Sequence, residues 1–163
     1  MNRMPFSEVV LINGNEGKMT TDTMLAKQDL EESGYTCVLR KGDNTCSSFE
    51  HGVKPLLQWI DEGKDYSGYG AADQVVGKAA ALLYIYLGVR DLYGQVISEP
   101  ALGVLAEHGV TCMYGEKVPY IINRKKDGMC PMEQTVLTIS DPAEAVEALK
   151  SKVRSMMKPV AEG

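Results

Sequence analysis

Paired cysteines, basic stripes, long apolar runs and histidines are what this sequence has least of. Its four cysteines, Cys37, Cys46, Cys112 and Cys130, share no CxxC or CxH spacing. That excludes a zinc finger and a thioredoxin-like dithiol. Its two histidines, His51 and His108, lack the spacing of a metal-ligand pair, so no metal and no cofactor are expected. The longest apolar run, residues 79–89, carries tyrosines and is too short to span a bilayer. With a net charge of −5 and only the short basic cluster Arg124-Lys125-Lys126, attraction to nucleic acid or to an anionic membrane is not its main business. The chain shows no signal peptide and is not a small cysteine-dense scaffold. A cytoplasmic protein with reduced thiols is the expectation.

What is present suits an ordinary globular core. The 163 residues are 44% hydrophobic and 24% charged, which fits one domain. Residues 1–20 end in the polar, Gly- and Asn-rich "INGNEGKMT" and read as a weakly ordered lead-in with an apolar patch at Val9 to Ile12. A single α/β domain is expected over 21–158. It begins with a helix from Thr21 to Ser33-Gly34, followed by the hairpin "YTCVLRKGDNTCSSF". A helix opened by Pro55 and stopped by Gly63 comes next. "YSGYGAAD" reads as a small-residue strand, with Asp73 as N-cap of a buried helix running to Leu87 and Gly88. Then follow the strand "RDLYGQVIS", a helix capped by Ser98, the strand "VTCMYG", a loop, a helix opened by "CPMEQTVLTI", and a last amphipathic helix capped by Asp141. Short strands alternating with helices predict a three-layer α/β/α sandwich around a mixed sheet.

Lys78 is the anomaly, a charge inside "ADQVVGKAAALLYIYLG". On a helix starting at Asp73 its ammonium would lean back toward the free N–H groups and add to the positive dipole. Such a spot needs an anion, either Asp73 or a ligand carboxylate or phosphate, and Gly77 leaves room for a close approach. Lys78 snorkelling to solvent is the plainer alternative. GKAA lacks the spacing of a P-loop. Cys130, at the start of "CPMEQ", has the position of an activated thiol, or else is a buried cap with Glu133 closing a capping box. Asn123 and Arg124 suit an anion clamp or a solvated turn. Ser48 ends the hairpin, where it caps the next helix or faces the same crevice as Asp73.

"GVKPLLQWI", "ADQVVGKAAALL", "VIS" and "NRKKDGMCPMEQ", in that order, resemble an uncharacterised bacterial and archaeal family catalogued as a domain of unknown function. The resemblance covers roughly residues 30–139 and implies a cytidine deaminase-like fold. Its pocket would lie at the N-termini of two helices, one starting near Gly52 and one at Asp73. A zinc deaminase needs a His-or-Cys, Ala, Glu motif at the first and Pro-Cys-x-x-Cys at the second. Here stand "SSFEHGVKP" and "ADQVVGKAA". The resemblance therefore implies the scaffold without the zinc reaction. The family commonly has a lysine where this chain has Gln74.

The leading expectation is a zinc-free pocket for a small anionic, nucleotide-like metabolite, bound by Ser48, Asp73, Gly77, Lys78, Asn123 and Arg124. Lys78 and Cys130 are the catalytic candidates if a reaction occurs. One alternative is thiol-dependent sulfur or group transfer through Cys130, as in a sulfurtransferase of formate dehydrogenase maturation that shares this broad fold. The other is a noncatalytic regulatory or interaction module, with a homo-oligomer left open.

Overall fold

The computed structural model describes residues 9–12, 15–18, 20–123 and 125–157. A first hairpin, β1 (Val9–Ile12) and β2 (Asn15–Lys18), pairs antiparallel, an element absent from the order expected above. The central sheet holds β3 (Cys37–Lys41), β4 (Asn44–Ser48), β5 (Gly70–Val76), β6 (Asp91–Ser98) and β7 (Thr111–Val118). Their spatial order is β4-β3-β5-β6-β7. β3 runs antiparallel to both neighbours, whereas β5, β6 and β7 are parallel. The sheet is therefore mixed and the class is α/β, as the alternation of strands and helices predicts.

Among the described residues six helices complete the fold: α1 (Thr21–Ser33), α2 (Lys54–Glu62), α3 (Lys78–Leu87), α4 (Glu99–Glu107), α5 (Pro131–Thr135) and α6 (Pro142–Met157). Strand periodicity sorts them into layers. Ala72, Tyr93 and Met113 point to the face covered by Met24, Ala26 and Leu30 of α1. Their neighbours Ala71, Leu92 and Cys112 point to the opposite face, into a larger core with α2, α3, α4 and α6. α3 is the centre of that core, with Ala79 to Tyr84 all buried. Among the described residues no helix is long and apolar enough to cross a membrane.

Local chemistry fixes most helix ends. Thr20 caps α1 by accepting from the Thr23 amide at 3.3 Å, and the Asp91 carboxylate accepts from the Thr20 amide at 2.6 Å. Ser98 accepts from the Ala101 amide and Asp141 from the Glu144 amide, as N-caps do. Gly34 and Gly63 end α1 and α2 at positive φ, +75° in each case. Gly70 is required differently: a Cβ there would collide with Thr23, so its absence lets the first turn of α1 rest on β5.

Three boundaries depart from the sequence reading. β5 runs on through Asp73 to Val76, so Asp73 is a strand residue and α3 begins at Lys78 with Gly77 as its cap. The β-branched pair Val75-Val76 prolongs the strand, and both residues pair with β6. β7 continues past Gly115 to Val118. α5 stops at Thr135, short of Ile139.

Candidate functional site

The carboxyl ends of parallel strands are where open α/β sheets place their ligands, and here β5 ends at a cavity. The opening is bounded by the last residues of β5, the turn before α2, the start of α3 and the segment around α5. Its volume is ≈ 250 Å³, and Cys37, His51, Val53, Asp73, Cys130 and Glu133 are among its lining residues. Val75 and Ile122, about half exposed, stand at its rim.

Asp73 faces this cavity from the middle of β5 and is only 8% exposed. One carboxylate oxygen accepts from the Tyr84 hydroxyl at 2.6 Å and the other from the Val75 amide at 3.1 Å. Burial pushes the Asp73 carboxyl up to about 7, against the opposing pull of those hydrogen bonds. Its partner Tyr84, fully buried in α3, is held well above the usual phenol range by burial and by the adjacent Asp73 charge. Cys37 lies opposite Asp73 in the β3–β5 pairing. Burial, then the Asp73 charge, pushes the Cys37 thiol far up, so it is no nucleophile near neutral pH.

Glu133 is the second buried carboxyl of the cavity wall, 7% exposed. Its two oxygens accept from the backbone amides of Lys78 and Ala79 at 2.8 and 2.9 Å. They are two of the N–H groups that a helix start leaves without partners. Gly77 is needed at this point because a Cβ would strike the Glu133 carboxylate. Burial raises the Glu133 pKa, while the two amides and the Lys78 charge lower it.

The anion that the start of α3 demands is thus supplied by the chain itself, from α5 rather than from Asp73. The expected pairing of Lys78 with Asp73 does not form. Lys78 is the first residue of α3, not one and a half turns in, and its ammonium donates to the Leu137 carbonyl at 3.2 Å. Gln74, where the family commonly has a lysine, sits in β5 and its side-chain amide donates to the Tyr35 carbonyl at 2.9 Å. Glu133 does not close a capping box on its own helix, since it bridges to another.

Of the residues expected to bind a ligand, Asp73 and Gly77 line the cavity and Lys78 does not. Ser48 accepts from the Glu50 amide instead, and Asn123 donates to Asp127. Arg124 lies outside the described residues. Cys130 lines the cavity, half buried, at the start of α5. Tyr84 and the cross-helix role of Glu133 escaped sequence reasoning. A tyrosine within an otherwise apolar helix was the available signal for the first, because a buried phenol needs a partner. Among the described residues no three His, Cys, Asp or Glu side chains converge in the way a metal ion requires.

A family model described as TM1506, a domain of unknown function (DUF1893), matches residues 25–153. Among solved structures the chain is similar to the crystal structure of a DUF1893 family protein (TM1506) from Thermotoga maritima. That likeness has 28% identity and a TM-score of 0.75, over 82% of this chain and 92% of the other. No curated protein matches the chain.

Proposed function

We propose that this chain, which belongs to the DUF1893 family, binds a small metabolite in the cavity at the carboxyl end of β5, without zinc. One observation carries the reading: two carboxyls, Asp73 and Glu133, are each more than nine-tenths buried at the wall of one ≈ 250 Å³ opening. That volume lies just below the ~300–1,000 Å³ of pockets for drug-sized ligands, so the ligand is small. Buried polar groups beside apolar walls of Val53, Ala80 and Met132 are the usual construction of a binding site. A cytidine deaminase-like architecture belongs to the same proposal. The position of the cavity, between the starts of α2 and α3, supports it.

The anionic ligand suggested by Lys78 is not retained. Glu133 occupies the start of α3, and the Lys78 ammonium is engaged by Leu137 outside the lining. A second reading, thiol-dependent group transfer, is favoured by the placement of Cys130 on the same wall.

Val75→Trp tests the main reading. Val75 is 47% exposed at the rim, so an indole there obstructs the mouth without overpacking the core. Small metabolites that raise the melting temperature of the wild type should lose that effect in Val75→Trp. Equal stabilisation of both proteins refutes the cavity as the site. Rapid modification of Cys130 at neutral pH, blocked by a cavity ligand, would favour the thiol reading.

A further inference from the structure

The chemistry of the lining narrows the ligand, an inference that rests on the cavity being the binding site. We propose that the cavity selects a small organic cation, an amine, amidine or guanidine, held by Asp73 with Glu133 beside it. The lining contains these two carboxyls and no lysine or arginine among the described residues. An ionised carboxylate offers about four acceptor positions. Asp73 uses two, for Tyr84 and Val75, and Glu133 uses two, for Lys78 and Ala79. Acceptor capacity is left over on both.

Most side-chain donors of the lining are already engaged, the exposed His51 ring excepted. The Thr36 hydroxyl is directed at the Ser48 and Glu50 carbonyls, and the Gln74 amide at the Tyr35 carbonyl. A ligand that brings N–H groups therefore finds open acceptors on both carboxyls, and a positive charge gains most from them in a site of low dielectric. Among the described residues no lysine or arginine of the lining supplies that charge. The titratable groups sharing the cavity or bonded to Asp73 are Cys37 from β3, Tyr84 from α3, His51 before α2, and Cys130 and Glu133 at α5. Lys78 is near enough to lower the Glu133 pKa, yet its ammonium is bonded to Leu137. Both carboxyls are raised by burial, as expected where a cation is still to come.

Three probes of nearly equal shape decide the question: benzamidine, acetophenone and benzoate, titrated by amide chemical shift at millimolar concentration. Benzamidine should bind the wild type at least tenfold more tightly than either of the others. Val75→Trp should abolish its binding, and Asp73→Asn should weaken it about tenfold or more, the range for a charge-assisted hydrogen bond. Benzamidine stays cationic between pH 6 and 8, while Asp73 goes from mostly protonated to mostly ionised through about 7. Its affinity should therefore rise about tenfold over that interval. Benzoate or acetophenone binding as well as benzamidine, and sensitive to Val75→Trp, overturns the cation selectivity and leaves the cavity standing as a site. Benzamidine binding that ignores Val75→Trp, or binding by none of the three, overturns the proposal.

Discussion

Replacing Asp73 with asparagine should make the protein more stable, and increasingly so as the pH rises. The substitution keeps the shape and one acceptor for the Tyr84 hydroxyl, but removes a charge that burial disfavours. In the unfolded chain the carboxyl ionises near 3.8, and in the folded protein at about 7. Between those values the folded state binds more protons, so the stability of the wild type falls with increasing pH. Integrating the two titrations from pH 5 to pH 8.5 gives a loss of about 3 kcal/mol. Asp73→Asn lacks this component, so the difference between variant and wild type should widen by that amount. At pH 5 the variant should already lead by roughly 1.5 kcal/mol from the same linkage, shifted either way by about 1 kcal/mol for the one exchanged hydrogen bond. Urea denaturation followed by circular dichroism at half-unit pH steps measures the gap, and other titrating groups cancel in it. A difference that stays flat across the range, or that grows toward acid, refutes the buried, destabilised carboxyl.

Glu133→Ala strands two backbone amides at the start of α3 and should cost about 2–4 kcal/mol in the same assay, combining lost cap and lost hydrogen bonds; a cost under about 0.5 kcal/mol would mean that α3 needs no cap from α5. Lys78→Met should change stability by no more than about 0.5 kcal/mol, as surface substitutions do, and a large loss would restore a structural role for the ammonium. Gly70→Ala should lower the melting temperature, because α1 must lift from β5 to admit the methyl group; an unchanged midpoint would contradict that contact. Iodoacetamide at pH 7.5, read by peptide mass, should modify Cys130 and Cys46 while sparing Cys37 and Cys112. Burial pushes Cys112 up to about 12 and Cys37 higher still. Labelling of Cys37 before Cys130 would refute the arrangement.

Local signals were readable where the residues that terminate an element sit next to it. Pro55 and Gly63 bracket α2, Ser98 and Asp141 cap their own helices, and alternation along β6 sends Leu92 and Tyr93 to different cores. The start of α3 was misplaced for a physical reason. Asp73 is an excellent N-cap by type, but Val75-Val76 extends the strand past it, and the true capping carboxylate is 55 residues away in sequence. No local pattern announces a cap that distant. The same is true of the cavity. Its wall was suspected from Asp73 and Gly77, whereas Cys37 joins through strand pairing and Glu133 through a helix 55 residues beyond the start of α3. Lys78 drew attention for its charge, and its actual partner, the Leu137 carbonyl, is a backbone group that carries no residue-type signal.

The long reach from Glu133 to α3 also has a consequence in time. At about 5–20 residues per second on the ribosome, the 55 residues between Lys78 and Glu133 take roughly 3–11 s to synthesise. During that interval β3, β5 and α3 have all been made, yet the central helix still has an open first turn. A nascent chain arrested before Glu133 should therefore remain sensitive to protease at residues 77–79, and gain protection there once α5 has left the tunnel. The first turn of the central helix is thus completed by a five-residue helix made 55 residues later, just before α6 adds Ala145, Val146 and Leu149 to the same core.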